Sequence, residues 1–343
     1  MLISLVGLRS PLLSWIERAA RELIAEVEGI TISPVHTVDE LRSSWQNRTN
    51  DNVLIISEAP APGVSNILNK LDHPRLVCVD DLIDTVGYGM AISQSGAASV
   101  TRHSVKGLCC LHDFFLNPAS TVWHREHLFR PVTDVLRDLA RIFELPIGED
   151  ALRRVASRLS GGHEVDVETA EQNLLRTDLH ARPPRHFHGS LPHEEIDAIN
   201  LLIPGYLSLF EAKPIRSLVW APGAFHSHGL KRAGRALKGD LTGGARFLVF
   251  GPYLHLPVGH WNAVVRFAVD DAISGCTLAV DIVAGEVLAL GEIAKVPSRG
   301  VFSFDLDFRV EDPAAAIEVR IALKQGSIEG TFIFGGAELS KID

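Results

Sequence analysis

From residue 301 to residue 310 the chain reads VFSFDLDFRV, and apolar and polar side chains alternate without a break. A β-strand sends successive side chains to opposite faces, so Phe302, Phe304, Leu306, Phe308 and Val310 share one side and Ser303, Asp305, Asp307 and Arg309 the other. Residues 260–269 repeat the pattern, with Trp261, Ala263, Val265, Phe267 and Val269 on one face. Further strands are expected over 277–283, 286–290, 316–323 and 328–334, with turn signals at Ser274-Gly275, Asp312-Pro313 and Gln325-Gly326. Half-buried strands joined by short turns predict an all-β antiparallel sandwich, jelly-roll-like, over residues 241–343.

The first half has a different grammar. Residues 2–7 (LISLVG), 52–57 (NVLIIS) and 75–79 (RLVCV) are continuous apolar runs, as strands buried on both faces should be, and 30–32 is a shorter candidate. Helical spacing separates them. Leu13, Ile16, Ala20, Ile24 and Val27 share one face, and helices are also expected around 38–45, 63–71 and 82–93. Apolar strands alternating with helices predict a three-layer α/β domain with a parallel sheet over residues 1–160. Its end is helical. Val135, Leu136, Leu139, Ile142 and Phe143 define an amphipathic helix stopped by Pro146 and Gly148, with a short helix at 150–159. Residues 161–240 read as a helical extension and linker. A polar irregular stretch over 160–173 and a Pro- and His-rich loop over 181–193 precede a helix near 194–209, and 213–244 is linker-like apart from a possible strand at 217–220.

Composition narrows the partners. Hydrophobic residues make up 46% of the 343 residues and charged residues 22%, which suits folded domains. The net charge of −9 and the lack of any basic run argue against nucleic acid as a partner. No apolar run reaches the roughly 18–20 residues that span a bilayer, and the first residues show no basic lead, so a cytoplasmic chain is expected. Cys78, Cys109, Cys110 and Cys276 include no C-x-x-C pair. Fifteen histidines include His186-x-His188, His226-x-His228 and the pair His124 and His127, yet none completes a metal-binding motif, and no metal is expected.

Three segments of the first half resemble the sulfotransferases, a P-loop-like α/β family that uses 3′-phosphoadenosine 5′-phosphosulfate (PAPS). Gly7-Leu8-Arg9-Ser10-Pro11-Leu12-Leu13 stands where that family has a Lys/Arg-Ser-Gly-Thr-Thr loop. Residues 75–93 stand where it has an Arg-Asp-Pro-x-Asp segment with a following Ser. Residues 136–146 look like its late helix and Phe-Leu-Gly-Leu-Pro-type turn. The resemblance covers about residues 1–160 and implies Arg9 and Ser10 as donor-binding positions. The departures bear on chemistry. Pro11 removes an N–H donor, Leu12 and Leu13 replace hydroxyls, Asp80 stands where the family places an Arg for the 3′-phosphate, and Tyr88 stands where it places the Ser. Two acids, Asp80 and Asp81, would repel a phosphate. Glu58, just past an expected strand, is the candidate general base.

In the second half, Gly251-Pro252-Tyr253-Leu254-His255-Leu256-Pro257-Val258-Gly259-His260-Trp261 resembles a segment of carbohydrate-binding-like sandwich domains appended to bacterial polysaccharide-synthesis proteins. Sugar sites pair an aromatic face with carboxylates, amides and Arg. Tyr253, His255, Asn262 and Arg266 are the candidate ligand-binding residues, Trp261 shares the face of core residues, and Asp305, Asp307, Arg309, Glu318 and Arg320 form polar rows.

Together these readings predict a non-catalytic or weakly catalytic protein that recognises a glycan or polysaccharide precursor of the bacterial surface, with no cofactor. One alternative is an active sulfo- or glycosyl-transferase using PAPS or a nucleotide sugar. The other is an assembly scaffold, with homo-oligomers formed through the sandwich.

Overall fold

The computed structural model describes residues 2–161, 167–182 and 191–342. The expected His186-x-His188 pair lies outside the described residues. The chain divides into two compact units, Met1–Ile196 with Leu209–Pro214, and Asp197–Ser208 with Ile215–Asp343.

The first unit is built on a parallel sheet of β1 (Leu2–Gly7), β2 (Ile30–Pro34), β3 (Asn52–Glu58), β4 (Arg75–Cys78) and β5 (Ser120–Trp123), in the order β2-β3-β1-β4-β5. The central strand β1 pairs with β3 through Leu2↔Val53 to Gly7↔Glu58, and with β4 through Ser4↔Arg75 to Gly7↔Cys78. Helix α1 (Pro11–Ile24) follows β1; α2 (Val38–Gln46), α3 (Pro62–Lys70), α4 (Leu82–Ser93) and α5 (Ala97–Leu116) follow in turn, then α6 (Val132–Ile142), α7 (Glu149–Ser160) and α8 (Ala170–Thr177). Ile3, Leu5, Leu54, Ile56, Leu76 and Cys78 pack with the apolar faces of α1, α6 and α7 in one core. The alternate strand residues Ser4, Val6, Val53, Ile55 and Val77 are equally buried toward the other face, and α3 packs on α5. Burial on both faces explains the unbroken apolar runs.

Some elements of this unit depart from expectation. β5 was hidden because Trp123 is its one buried residue. α5 begins at Ala97, well before the helical region expected from residue 108. α8, which begins in the stretch expected to be irregular and runs past its end, is started by a capping box between Thr169 and Gln172. The helix expected over 194–209 is α9 (His193–Leu202), which stops before Pro204.

The second unit is an antiparallel sandwich. One sheet runs β14 (Glu286–Val296), β13 (Cys276–Ala284), β16 (Ile317–Gln325), β10 (Arg246–Phe250), β7 (His226–Ser227), with β11 (Pro252–Leu254) also on β16. The other runs β15 (Gly300–Val310), β12 (Gly259–Asp270), β17 (Thr331–Lys341), β9 (Ala236–Asp240), β8 (Lys231–Ala233), with β6 (Ser217–Trp220) on β17. The alternation read from sequence is the burial pattern. Trp261, Ala263, Val265, Phe267 and Val269 lie inside with Phe304, Leu306, Phe308 and Val310. Phe267 sits among Phe302, Phe304 and Phe332, with ring centroids 5.5–5.7 Å away, and this close-packed aromatic centre ties β12 to both its neighbours.

The linker expected over 213–244 is a correction: β6 to β9 lie there and belong to the sandwich sheets. β6 is the strand expected at 217–220, with Leu218 and Trp220 buried in alternation, whereas β7 to β9 are two to five residues long and Lys231–Ala233 is exposed throughout, so no apolar alternation marks these three. Their pairing supplies the order instead, as in Phe334↔Leu237.

Candidate functional site

In the α/β unit the place to test is the turn from β1 into α1, where the PAPS-binding resemblance puts a phosphate. A phosphate loop needs unengaged N–H groups at a helix start. Here they are engaged. Pro11 has none, the Leu13 N–H donates to Ser10 Oγ at 3.2 Å, and the Ser14 N–H donates to the Ser10 carbonyl at 3.0 Å. The Leu12 N–H donates to Asp80 Oδ2 at 3.1 Å. Asp80 is therefore close to the helix start, bound to it. Burial pushes its carboxyl above the ordinary value, while Arg125 and the N–H groups of Leu12 and Asp81 act to keep it ionised.

Arg125 closes this cluster. Its Nη1 donates to Asp80 Oδ2 at 3.0 Å, and its Nε and Nη2 donate to Glu171 at 2.6 and 2.9 Å. Asp80, Arg125 and Glu171 are 1%, 5% and 7% exposed. Burial works against the Arg125 charge, but its bonds to Glu171 and its attraction to Asp80 outweigh that and raise its pKa. Tyr88 is engaged as well. Its hydroxyl donates to Asp178 Oδ2 at 2.6 Å, and burial together with that carboxylate pushes it up to about 12. Ser14 Oγ donates to the same Asp178 oxygen at 3.4 Å. The residues present do not fit a PAPS phosphate, because Asp80 holds the Leu12 N–H and Arg125 while Ser10 holds the Leu13 and Ser14 N–H groups.

Arg9 and Ser10, the implied donor-binding positions, make the following contacts. Ser10 is buried and caps α1, and Arg9 reaches out to Glu58, with Nε 3.3 Å from Oε1. Glu58 lies in a cleft of about 530 Å³ with Arg9, His36, Thr85 and His103 among its walls. Burial pushes the Glu58 carboxyl up, opposed by Arg9 and His36.

The candidate site of the second unit is the outer face of the β14-β13-β16-β10-β7 sheet. Strand register composes it row by row. Leu290, Asp281 and Arg320 are cross-strand neighbours, as are Val287, Val283 and Glu318, and Phe247 pairs with Ala322 beside them. Their alternates Leu278, Val280, Ile282, Val319 and Ile321 are core, which forces this set outward. Leu290, Val287 and Phe247 are 64%, 56% and 42% exposed. Arg320 donates twice to Asp281, at 2.7 and 2.6 Å, and its guanidinium lies 5.2 Å from the Phe247 ring centroid. The bonds to Asp281 raise the Arg320 pKa above the ordinary value.

The Gly251–Pro257 segment delivers Tyr253 to this face. Tyr253 has φ +61, a left-handed conformation uncommon for a bulky side chain. Its hydroxyl donates to Glu318 Oε1 at 2.8 Å. His226 lies 5.9 Å from the Tyr253 ring and 5.5 Å from Phe250, and His228 lies 5.2 Å from Phe250. An aromatic row thus borders a paired Arg–carboxylate row, the combination that meets both the C–H faces and the hydroxyls of a polyol.

The four residues singled out in this half are not brought together. Tyr253 is on this face. His255 is 7% exposed, and its carbonyl accepts from the Tyr206 hydroxyl at 2.8 Å. Asn262 and Arg266 are on the outer face of the other sheet, where Asn262 donates to Asp305 and Asp307 and Arg266 pairs with Glu338. Phe247 and Asp281 are not among the sequence candidates, whereas Glu318 and Arg320 stand as polar residues in the strand expected over 316–323. His124 caps the 3₁₀ turn Arg125–Phe129 that contains His127, and its N–H donates to His127 Nδ1 at 3.1 Å. Among the described residues no three His, Cys, Asp or Glu side chains are grouped to hold a metal ion, and no helix is long and apolar enough to cross a membrane.

The geometry thus defines a parallel-sheet α/β domain joined to an antiparallel β-sandwich. No family model and no curated protein matches the chain. Solved structures are similar to parts of it. Mouse sulfotransferase SULT7A1 complexed with PAP is 10% identical over 58% of this chain and 81% of its own, with a TM-score of 0.41. The C-terminal CBM6 of LamC, a marine laminarinase from Zobellia galactanivorans, is 18% identical over 36% of this chain and 99% of its own, with a TM-score of 0.25. The xylan-binding module CBM15 is 10% identical over 37% and 97%, with a TM-score of 0.28. At such identities a ligand has to be read from this chain's own residues.

Proposed function

We propose that this chain is a glycan-recognition protein of bacterial surface polysaccharide, and that it binds sugar on the outer face of the β14-β13-β16-β10-β7 sheet. One observation carries the reading: exposed Phe247 and half-buried Tyr253 stand beside the Asp281–Arg320 and Glu318 row on one face. An aromatic ring there can stack on sugar C–H groups, and the fixed carboxylates and guanidinium can take hydroxyls. Arg320 is already oriented by Asp281, so little ordering entropy is lost on binding.

The transferase alternative needs a phosphorylated donor at α1, where the N–H groups are engaged. The glycan reading is therefore favoured. The test is an array of bacterial polysaccharides and oligosaccharides probed with the full chain. A fragment beginning at residue 241 would omit β6 to β9 and is unsuitable. Retention of at least one glycan is expected. Phe247→Ala should weaken it roughly tenfold, about 1.4 kcal/mol, with folding intact because the ring is exposed. No glycan retained, or undiminished retention by Phe247→Ala and Asp281→Asn, would reject the proposal.

A further inference from the structure

The first turn of α1 has the fold position of an anion seat and is closed by the protein's own groups. We infer that Asp80 is a built-in anion: its carboxylate fills the seat at the start of α1, so that the loop is a structural staple and not a binding site for phosphate.

The donors around Asp80 converge as they would on an oxyanion. Oδ2 accepts from the Leu12 N–H at 3.1 Å and from Arg125 Nη1 at 3.0 Å, and Oδ1 accepts from the Asp81 N–H at 3.0 Å. The negative charge at the helix N-terminus is stabilised by the helix dipole, as a bound anion would be. The seat has no room for a second anion. The buried cluster holds one guanidinium against two carboxylates, and Glu171 occupies the remaining edge of Arg125. An incoming phosphate would meet uncompensated negative charge in a desolvated place.

The staple joins distant parts of the chain. Asp80 follows β4, Leu12 is in α1, Arg125 follows β5, Glu171 is in α8, and Arg125 Nη2 also donates to the carbonyl of Arg182 at 3.1 Å. Asp178 acts alike one step along α1, holding Tyr88 and Ser14. Both positions that departed from the phosphate-binding pattern, Asp80 and Tyr88, are thus parts of internal carboxylate networks.

Removing the carboxylate should reopen the seat. Asp80→Ala leaves the Leu12 and Asp81 N–H groups and Arg125 Nη1 facing a vacancy, whereas Asp80→Asn leaves it filled. The experiment is thermal unfolding of the full chain in inorganic phosphate against chloride at matched ionic strength. Wild type and Asp80→Asn should not respond specifically to phosphate. Asp80→Ala should melt lower in chloride and regain melting temperature with phosphate in a saturable way. A wild-type response equal to that of Asp80→Ala overturns the inference, as does a folded Asp80→Ala without rescue or with no more rescue than Asp80→Asn. If Asp80→Ala does not fold in either salt, calorimetric titration of wild type with 3′-phosphoadenosine 5′-phosphate decides. Absence of binding heat, or heat that Arg9→Ala leaves unchanged, supports the inference, and saturable heat that Arg9→Ala abolishes overturns it.

Discussion

His73 offers a quantitative test of the α/β unit. Its ring lies between Ser4 and Leu71, with Nε2 2.9 Å from Ser4 Oγ and Nδ1 3.1 Å from the Leu71 carbonyl. The carbonyl can only accept, so Nδ1 carries the proton and Nε2 accepts from the serine. Burial, with the Arg75 charge second, lowers its pKa from 6.5 to about 4. The folded protein therefore binds fewer protons than the unfolded chain between those values. Stability from the neutral ring is complete above pH 6.5 and is lost as pH falls toward 4. The gap between about 4 and 6.5, at about 1.4 kcal/mol per pH unit, sets a ceiling of roughly 3 kcal/mol. Solvent screening reduces the expected loss to about 1–2 kcal/mol. The assay is urea unfolding followed by tryptophan fluorescence at several pH values, since Trp15 and Trp123 are buried in this unit. His73→Asn can keep the bond to Leu71 but cannot titrate, so the wild-type minus mutant difference should slope between pH 6.5 and 4. Parallel curves for the two proteins across that window would refute the reasoning.

Two further outcomes follow from packing. Gly7 ends β1 with no space for a methyl group: a Cβ there would sit 2.6 Å from the Cys78 carbonyl oxygen. Gly7→Ala should cost roughly 1–3 kcal/mol in a denaturant melt, because strand backbone must move to relieve it. Trp261 is fully buried, and its Nε1 donates to the Pro257 carbonyl at 3.0 Å. Trp261→Ala should cost roughly 3–5 kcal/mol of sandwich stability in the same melt, while Trp261→Phe should leave glycan retention unchanged because the indole points inward.

The strong elements were legible wherever burial was regular. The runs of β1 and β3 are mostly apolar on both faces because α-helical layers cover both, and β12 and β15 alternate because one face is core. Legibility failed where order comes from pairing alone. Nothing in Lys231–Ala233 signals a strand, because its side chains are exposed and its order comes from β9. The proposed glycan face was partly readable: Tyr253, Glu318 and Arg320 are named from the sequence, whereas Phe247 and Asp281 join them only through register with β16. The sequence reading has Asp80 repelling a ligand phosphate; in the structure the acid accepts from the start of α1 itself.

Sequence alone determined the two architectures, since the period of apolar residues depends only on local backbone geometry and on which sides are buried. It also determined that the turn from β1 into α1 has fewer N–H and hydroxyl donors than the loop it resembles, because proline lacks the one and leucine the other wherever they are placed. Tertiary structure decided the rest. Whether Asp80 faces solvent or the start of α1, 68 residues away in sequence, depends on β4 lying beside β1. Which polar row lies beside an aromatic row depends on strand order, and that is set by packing between distant segments. The same alternation that makes a sandwich strand recognisable cannot say which neighbour it will have.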